Sequence, residues 1–345
     1  MAELWVDVLT PKQALFTKAM LERAPSKISI TVTTRDYLEL NQFAAKINLP
    51  RIPIGKHGAT LEGKLKASIE RQRALVPFVS KHGFDLSLSF VSPEAARVSF
   101  GLALKHYIQS DSPHAEAACR LAVPLAAELF SPFPIARERW TQYGLTDSQV
   151  RTYHALDAWA WLLSRKIRVS KKRKRRVLVR LEEAFASYMK SGGGVSSALE
   201  GLLNAVSESG DYEIVLIPRY DSQRKWAKKK FGTRCTVPDE AVDGLDYIEN
   251  SDLVIGGGGT MTQEAALVGV PNISYFPSAR LDVFENYYFP EKLSAKASNP
   301  KELVQVTREL LLDIDSQKRD FADRAAHATK GFEDPALFIL KNIRK

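Results

Sequence analysis

Short apolar segments alternate with longer segments of helical periodicity along almost the whole chain, and this alternation constrains the fold most strongly. The first half contains five segments that we predict to be strands, at residues 4–8, 28–33, 48–54, 84–90 and 106–109. The second half contains five more, at residues 177–181, 212–217, 233–237, 253–255 and 272–276. Strands and helices that alternate in this way predict α/β domains, in which helices cover both faces of a parallel sheet.

The length of the chain indicates more than one such domain. Its 345 residues are enough for two domains of about 100–200 residues each. We predict an N-terminal doubly wound domain over residues 1–163, a basic linker over residues 164–176, and a C-terminal domain over residues 177–324. The two domains are expected to face each other across a cleft, although the two halves share no evident sequence similarity.

The net charge of +9 comes from one segment. Residues 165–176 contain nine basic residues and no acidic residue, and the other 40 basic residues are balanced by 40 acidic residues. The run from Lys171 to Arg176 could contact anionic lipid headgroups or the phosphates of RNA. No aromatic residues are interleaved with the run, so a solvated linker or a weak electrostatic contact is the favoured interpretation.

Composition predicts a cytoplasmic protein, with a location at the membrane periphery as a further option raised by the basic segment. Hydrophobic residues make up 45% of the chain and charged residues 26%, as in ordinary globular proteins. No run approaches the roughly 18 apolar residues that a membrane span needs, and we expect no signal peptide. Cys119 and Cys235 lie far apart without metal-ligand spacing, which favours a reducing compartment.

A run of four glycines at 256–259 is the clearest candidate for a binding site. It follows the apolar residues 253–255 and precedes Thr260, Thr262 and Glu264 at the start of a predicted helix. Gly257, Gly258 and Gly259 let the backbone approach a ligand closely, and the helix start offers free N–H groups, which together suit a phosphate or pyrophosphate. The run matches neither the dinucleotide fingerprint nor the P-loop. The alternative is a tight turn that binds nothing.

Polar and ionisable residues follow most of the predicted strands. Because ligands of open α/β sheets bind at the carboxyl ends of strands, we expect these residues to border one site. Three of them, Lys56, Arg35 and Arg219, could neutralise phosphate charge. The other candidates in the first half are Asp7, Asp36, His57, Ser92, Glu94, Asp111, His114 and Glu116, and those in the second half are Asp221, Thr260 and Glu264.

The segment Asp111-Ser-Pro-His-Ala-Glu116 is the best candidate for acid–base chemistry. We predict that it begins a helix with Asp111 or Ser112 as the cap, which is also the alternative role for Asp111. His114 would then lie in the first turn, where the helix dipole lowers its pKa and favours a neutral general base. A packed or surface histidine is the alternative. His-x-Glu lacks further ligands at suitable spacing, so no metal is predicted.

Glu264 has two interpretations. Its carboxylate could accept hydrogen bonds from the hydroxyl groups of a ribose while the glycine N–H groups hold phosphates. The alternative is an acidic residue near a helix start that complements the helix dipole. The remaining histidines are taken as structural: His82, His106, His154 and His327.

Several of these motifs together resemble the uncharacterised, largely archaeal DUF354 family, and the resemblance extends over roughly residues 3 to 330. The family is similar in turn to the GT-B superfamily, notably UDP-N-acetylglucosamine 2-epimerases and MurG-like glycosyltransferases. The motifs that carry the resemblance are the segment from Gly257 to Pro271, Gly55-Lys-His-Gly58, Ser92-Pro-Glu-Ala-Ala-Arg97, Asp111-Ser-Pro-His-Ala-Glu116 and Arg180-Leu-Glu-Glu-Ala-Phe-Ala-Ser-Tyr188.

The resemblance implies a GT-B-like fold of two Rossmann-like domains with a nucleotide-sugar site, and a C-terminal helix, at residues 325–345, that packs back on the first domain. It implies that Gly258, Gly259, Thr260 and Glu264 hold the diphosphate and ribose. The chain departs from the family at Leu9-Thr-Pro-Lys-Gln13, where an Asn-Pro-Pro-His type loop is usual.

The function that follows is an epimerase or glycosyltransferase acting on a nucleotide sugar, most simply a UDP-sugar. That sugar would be the substrate, and no cofactor or metal is expected. The facing loops of the first domain would supply proton transfer through Asp111, His114, Glu116 and His57. The alternative is a non-catalytic protein that keeps the scaffold and uses its basic segment on RNA, ribosomes or a membrane surface.

Overall fold

A computed structural model describes residues 1–58, 60–165, 174–181, 195–239, 242–276 and 280–344, apart from the side chains of Leu38 and Glu39. The chain divides into two compact units. The first contains Met1–Leu163 and Phe332–Lys345, and the second contains Ser164–Gly331. Each unit combines a parallel sheet with helices, so the predicted α/β class is confirmed.

In the described part of the first unit, seven parallel strands form one sheet. They lie in the order β3-β2-β1-β4-β5-β6-β7, which reverses direction between β1 and β4. Open α/β sheets bind ligands beyond the carboxyl ends of their strands at such a point. The strands are β1 (Ala2–Val8), β2 (Ile28–Asp36), β3 (Ile52–Lys56), β4 (Leu86–Ser89), β5 (Lys105–Gln109), β6 (Glu128–Pro132) and β7 (Val150–Tyr153).

Helices of the first unit begin where the sequence provides a cap. Thr10 precedes a proline and accepts a hydrogen bond from the backbone N–H of Gln13. Ser92 likewise precedes a proline and caps the helix that begins at Pro93. The helices are α1 (Pro11–Arg23), α2 (Leu38–Lys46), α3 (Leu61–His82), α4 (Pro93–Gly101), α5 (Glu116–Ala122), α6 (Glu138–Thr141) and α7 (Trp159–Leu162), with 3-10 turns at Val123–Leu125 and Asp147–Gln149.

The second unit has a five-stranded parallel sheet among its described residues, in the order β12-β11-β10-β8-β9, which reverses between β10 and β8. Its strands are β8 (Arg176–Arg180), β9 (Glu213–Ile217), β10 (Leu253–Gly256), β11 (Asn272–Tyr275) and β12 (Ala295–Ala297). Its helices are α8 (Val195–Ser209), α9 (Asp221–Phe231), α10 (Gly244–Glu249), α11 (Thr260–Leu267), α12 (Pro300–Leu312) and α13 (Ile314–Ala328), with a π-helical turn at Phe284–Tyr288.

The end of the chain belongs to the first unit. Helix α14 (Pro335–Asn342) packs against α1. Asp334 caps α14 through the backbone N–H of Ala336 at 3.0 Å, and its carboxylate also pairs with Arg23 of α1. This helix begins later than residue 325, because α13 continues to Ala328 in the second unit.

The central strands are buried because helices cover both faces of each sheet. All four residues of β4 are buried, as are all four residues of β10. In the second unit, apolar residues of the sheet pack with those of α8, α12 and α13 in one core. Replacing a leucine of that core, such as Leu202 or Leu303, with alanine would lower the free energy of unfolding by about 2–5 kcal/mol.

Two elements of the first unit extend further than their sequence patterns indicate. Strand β2, predicted over residues 28–33, continues through Asp36 beside β3. Helix α3 contains Pro77 and continues beyond it to His82. Leu75 and Val79 are buried on either side of Pro77, so packing of the helix outweighs the hydrogen bond that the proline removes.

Three short strands, at or next to the edge of a sheet, escaped prediction. Strands β6, β7 and β12 have three to five residues and contain charged residues or proline, so they carry no apolar run. Residues 233–237, which we predicted as a strand, contribute only a single bridge between Thr236 and Val215. Within the described ranges, none of the helices combines the length and apolar character that crossing a bilayer requires.

Candidate functional site

The glycine run forms a turn between β10 and α11, where the strand order of the second sheet reverses. Gly259 immediately precedes α11, so the free N–H groups of the first helical turn lie at this point. Gly258 has a φ of 69°, and a Cβ there would lie 2.4 Å from Cδ1 of Leu281. Position 258 therefore needs glycine for both its backbone conformation and its space.

Arg219 brings a positive charge to the same turn. Its Nη2 would lie 3.3 Å from a Cβ at Gly259, so the guanidinium is next to the start of α11. The side chain is held in place because its Nε donates a hydrogen bond to the backbone oxygen of Leu181 at 3.3 Å. Helix N–H groups and an arginine fork are both donors that suit phosphate oxygens.

Thr260 and Glu264 differ in accessibility although both belong to α11. Thr260 is half-buried at the first position of the helix, close enough to the turn to contact a bound anion. Glu264 is only 3% exposed, because α11 packs in the interior along most of its length. The structure therefore does not present the Glu264 carboxylate to solvent, and its role as acceptor for ribose hydroxyls stays a prediction.

In the first unit, Asp7 at the end of β1 is the centre of a buried hydrogen-bond network. Its carboxylate accepts two bonds from the guanidinium of Arg71, at 2.6 and 2.9 Å. The hydroxyls of Thr33 and Ser92 donate to it at 2.7 Å each. Burial acts to raise the pKa of Asp7, but the charge of Arg71 and these hydrogen bonds outweigh burial and lower it.

The Asp7 network ties β1, β2, α3 and the start of α4 together rather than facing a ligand. Asp7 and Ser92 are fully buried and Arg71 is 1% exposed. Ser92 also caps α4 through the backbone N–H of Ala95. Glu94 lies at the edge of the network, 4.0 Å from Arg71. Asp7 and Ser92, which we predicted to border a cleft, are thus enclosed, whereas Glu94 is partly exposed.

A second charged cluster lies beyond the ends of β5 and β7 and joins Asp111 to residues that the sequence did not single out. The ammonium of Lys12 pairs with Asp111 and, at 2.7 Å, with Asp157. Asp157 also accepts a hydrogen bond from the hydroxyl of Tyr153, and that hydroxyl accepts one from Gln109 at 2.9 Å. Two carboxylates thus share one lysine in a site that is almost closed to water.

The two carboxylates of this cluster have opposite pKa shifts. Burial acts to raise the pKa of Asp111, but the charge and hydrogen bond of Lys12 outweigh burial and lower it. Burial, followed by repulsion from Asp111, raises the pKa of Asp157. Pairs of groups whose environments separate their pKa values in this way are typical of acid–base chemistry. Burial and Asp157 also raise the pKa of Tyr153.

The structure corrects the predicted helix around Asp111. Helix α5 begins at Glu116, with Ala115 before it, so Asp111 does not cap the helix and His114 does not lie in its first turn. The segment forms a turn instead, in which the backbone N–H of Ala115 donates to the backbone oxygen of Ser112 at 3.1 Å, and the hydroxyl of Tyr143 donates to the backbone oxygen of Pro113 at 2.7 Å. His114 remains near Asp111 and its charge helps to lower the pKa of that carboxyl. Glu116 instead pairs with Arg120 at 2.6 Å on the exposed side of α5.

His57 lies away from the Asp111 cluster in sequence and in the fold, after β3. Its ring contacts the ring of Tyr37 edge-on, with 5.3 Å between centroids. Partial desolvation and then the charges of Arg35 and Lys64 lower the pKa of His57 to about 4. The imidazole is therefore neutral near pH 7. Lys56 beside it lines an open cavity described below.

The structural role predicted for His106 agrees with its surroundings. Its two ring nitrogens lie 2.8 Å from the hydroxyl of Ser87 and 3.1 Å from that of Ser89, inside the sheet. Burial lowers the pKa of His106 to about 4. A neutral ring between two hydroxyls is satisfied without a ligand.

The basic segment is partly neutralised by ion pairs. Lys174 pairs with Asp211 at 2.6 Å, and Arg175 pairs with Asp315 at 2.7 Å. The rest of the run, from Lys171 to residue 173, lies outside the described residues. Contact of this segment with RNA or a membrane surface therefore stays a prediction.

Metal-binding residues and thiols offer no further centre in the described part of the chain. Its His, Cys, Asp and Glu side chains form no group of three that could hold an ion. Cys119 and Cys235 are buried free thiols.

Comparison with known proteins relates the whole chain to one family. The sequence model described as "Protein of unknown function (DUF354)" matches residues 2–328. An uncharacterized protein of Methanocaldococcus jannaschii is 26% identical over 324 residues, which cover 90% of this chain and 92% of that protein.

Solved structures share the fold at low sequence identity. A putative UDP-N-acetylglucosamine 2-epimerase from Listeria monocytogenes has a TM-score of 0.70 and 16% identity, over 98% of this chain and 94% of that one. UDP-GlcNAc 2-epimerase from Neisseria meningitidis, solved with bound UDP-GlcNAc, has a TM-score of 0.63 and 13% identity, over 99% and 98% of the two chains. Glycosyltransferases are also among the similar structures. The two parallel sheets are thus those of a GT-B-like fold.

Proposed function

The chain belongs to the DUF354 family, and from that premise we propose that it is a nucleotide-sugar enzyme, acting on a UDP-sugar as an epimerase or a glycosyltransferase. The glycine turn and Arg219 in the second unit would hold the diphosphate. The Asp111 cluster in the first unit would supply proton transfer. The similar solved structures support the fold on which this proposal depends, and the residues support the chemistry.

The observation that carries the proposal is the position of Arg219 over the glycine turn. Its guanidinium lies next to Gly259, which has no side chain to block the approach of a ligand. The first N–H groups of α11, which begins after Gly259, have no carbonyl partner within the helix. An anion at this point would receive charge-assisted hydrogen bonds from the arginine and bonds from the backbone. The diphosphate of a nucleotide sugar fits both the charge and the number of donors.

The first unit has the groups that either reaction requires. Epimerisation needs a base that removes a proton from a sugar carbon and an acid that returns one, whereas transfer needs a base that takes the proton of an acceptor hydroxyl. We assign the base to Asp111, whose pKa Lys12 lowers, with His114 beside it. Lys12 is a positioning residue, and Asp157 is the carboxyl of the pair that retains a proton to higher pH.

Calorimetric titration of the full chain with UDP and UDP-N-acetylglucosamine tests the nucleotide site. We expect saturable binding, weakened about tenfold or more by Arg219→Gln, because a hydrogen bond to a charged group is worth about 1.5–3 kcal/mol. The matched control is Arg234→Gln, in the same unit, whose guanidinium is exposed and donates to Asn204 at 2.6 Å. No binding of any nucleotide diphosphate, or equal losses in the two variants, would contradict the proposal.

Isotope exchange separates the two reactions. In D₂O, an epimerase of the proton-transfer type introduces deuterium at the inverted carbon of the sugar without an acceptor. A transferase releases UDP only when an acceptor is supplied. Asp111→Asn should slow whichever reaction occurs by at least about a hundredfold, the usual contribution of general acid–base catalysis, while UDP still binds.

A further inference from the structure

Four basic side chains lie around β3. Three are at the carboxyl ends of β2 and β3 or at the start of α3, and the fourth, Arg51, precedes β3 and donates a hydrogen bond to the backbone oxygen of Asn41 at 3.4 Å. We call them the cationic cluster: Arg35, Arg51, Lys56 and Lys64. Arg35 is half-buried, and its Nε is buried without a hydrogen-bond partner among the described residues. Its guanidinium lies over the ring of Tyr37, 5.8 Å from the centroid. The cluster therefore places positive charge at one edge of the first sheet.

Nearby carboxylates offset this charge only in part, since Glu94 and Asp7 act on Arg35 without pairing with it. Within the parts of the chain that the structure describes, no ion pair joins a member of the cationic cluster to an acidic side chain. Asp36 lies close by, but its carboxylate accepts a hydrogen bond from the amide of Asn41 at 2.6 Å. Lys66, only two residues after Lys64, behaves differently, since it pairs with Glu62 at 2.5 Å.

An open cavity lies beside these charges. Its volume of about 510 Å³ is in the range of small-molecule sites, roughly 300–1,000 Å³. The positive end of α3, a helix of 22 residues, adds to the field at this edge. The cavity is lined by Asp36, Asn41, Arg51, Pro53, Gly55 and Lys56.

The shape of this edge depends on a glycine. Gly55 has a φ of 76°, and a Cβ there would lie 2.6 Å from Cγ of Arg71. The stem of Arg71 therefore passes directly under β3, and its Nε bonds to the backbone oxygen of Ile54 at 2.9 Å. Because Arg71 also donates to Asp7, its hydrogen bonds connect β3 to the buried Asp7 network.

The pKa of His57 reflects the charges of the cationic cluster. After desolvation, the charges of Arg35 and Lys64 are the causes that lower its pKa, to about 4. A neighbouring carboxylate would act in the opposite direction, and none contributes to the shift. The charges that act on the imidazole are therefore positive.

We propose that the cationic cluster binds the phosphate group of a phosphorylated acceptor, the second substrate of the nucleotide-sugar reaction. The identification of that ligand as an acceptor rests on the proposed function, whereas anion binding by the cluster does not. In the reaction, an acceptor hydroxyl oxygen bonds to the anomeric carbon as the bond from that carbon to the UDP oxygen breaks. The hydroxyl proton passes to the base, and UDP leaves with the bonding electron pair.

Phosphate fits the cluster better than a neutral sugar or a single carboxylate. A phosphate monoester carries up to two negative charges and three acceptor oxygens, and it can engage several cations at once, with an arginine fork as one of them. A neutral ligand would leave the cations of the cluster without a counter-charge. The proposal thus favours transfer to a phosphorylated small molecule over epimerisation of the nucleotide sugar alone.

Titration of the full chain with inorganic phosphate and with glucose 6-phosphate tests the site, with glucose and glucuronate as comparison ligands. We expect glucose 6-phosphate to bind, and Lys56→Gln with Lys64→Gln to weaken it at least about tenfold. Histidine NMR gives an independent readout, because a bound phosphate should raise the pKa of His57 above about 4. Lys66→Gln is the matched control, since it removes a paired charge from the same helix, and should leave binding unchanged.

Separate measurements of UDP binding keep the two proposals apart. Arg219→Gln should weaken UDP and leave glucose 6-phosphate unaffected. Failure of glucose 6-phosphate to bind, equal affinity for glucose or glucuronate, or an equal effect of Lys66→Gln would each overturn the inference while leaving the nucleotide site intact. Competition between UDP and glucose 6-phosphate would also overturn it, because the cluster would then hold the nucleotide. Binding of glucose 6-phosphate without UDP binding would keep the phosphate site and refute the proposed function.

Discussion

Replacement of Lys12 by methionine tests the Asp111 cluster most sharply. Lys12 is the ammonium shared by Asp111 and Asp157, and these carboxylates are 7% and 2% exposed. Methionine has a similar length but no charge, so both carboxylates would remain buried without their cation. Removing one partner of a buried ion pair typically costs about 3–5 kcal/mol, and we expect Lys12→Met to lower the free energy of unfolding by that amount at pH 7.

The loss should depend on pH in a defined direction. Without Lys12, burial is no longer outweighed at Asp111, so its pKa in the folded state would rise above the unfolded value. A carboxyl with a raised folded-state pKa contributes stability that is present at low pH and lost as the pH rises. The penalty of Lys12→Met should therefore be smaller near pH 4 than at pH 7. Urea unfolding followed by circular dichroism at both pH values measures it.

A second substitution and a control complete the test. Asp157→Asn in the Lys12→Met background removes one of the two stranded carboxylates and should recover about 1–3 kcal/mol, the coupling expected of residues in contact. Lys18→Met, on the same helix in a half-exposed pair with Glu22 at 3.6 Å, should change stability by less than about 1 kcal/mol. Lys12 would not be the counter-ion of the two carboxylates if Lys12→Met lowered the free energy of unfolding no more than the control does. The same conclusion would follow if the loss of stability neither varied with pH nor became smaller on adding Asp157→Asn.

Three further predictions concern single residues. Asp7→Asn should lower the free energy of unfolding by about 3–5 kcal/mol at pH 7, because it leaves the buried Arg71 without its counter-ion. Because the pKa of Asp7 is lowered, this difference from wild type, measured by urea unfolding, should shrink as the pH falls. Gly258→Ala should lower the free energy of unfolding by about 1–3 kcal/mol, because φ is positive there and the added methyl group would clash with Leu281. An unchanged midpoint of thermal unfolding would contradict this prediction. His57 should titrate near pH 4 by NMR, and Lys64→Gln should move its pKa upward; a wild-type value near 6.5 would contradict the described field.

The sequence was sufficient for the fold because the fold depends on periodicity. Buried strands such as β1 and β10 are apolar runs, and caps such as Thr10 mark helix starts directly. Strands β6 and β7 could not be found in this way, because each has only four or five residues, one of them charged, and therefore no distinctive pattern. Their absence from the prediction also hid Asp157, which lies in the loop after β7.

A residue of a candidate site could be predicted only if it directly follows a strand that the sequence reveals. That rule selected Asp111. It would also have selected Lys12, which lies in the first turn of α1 just after β1, in a segment where the chain departs from the family pattern. It could not select Arg71, which lies in the middle of α3 and reaches Asp7 only through tertiary packing. The rule also selected Asp7, which the same packing encloses, so sequence position identified the edge of the sheet but not accessibility.

Hydrogen exchange of the full chain, with and without saturating UDP, tests the central claim that the glycine turn holds a nucleotide diphosphate. A bound diphosphate would occupy the N–H groups at the turn and stabilise the start of α11. We expect slower exchange in peptides that cover Gly257, Gly259 and Thr260, and loss of that protection in Arg219→Gln. Unchanged exchange at this turn under conditions where UDP is bound, with protection confined to the first unit, would contradict it.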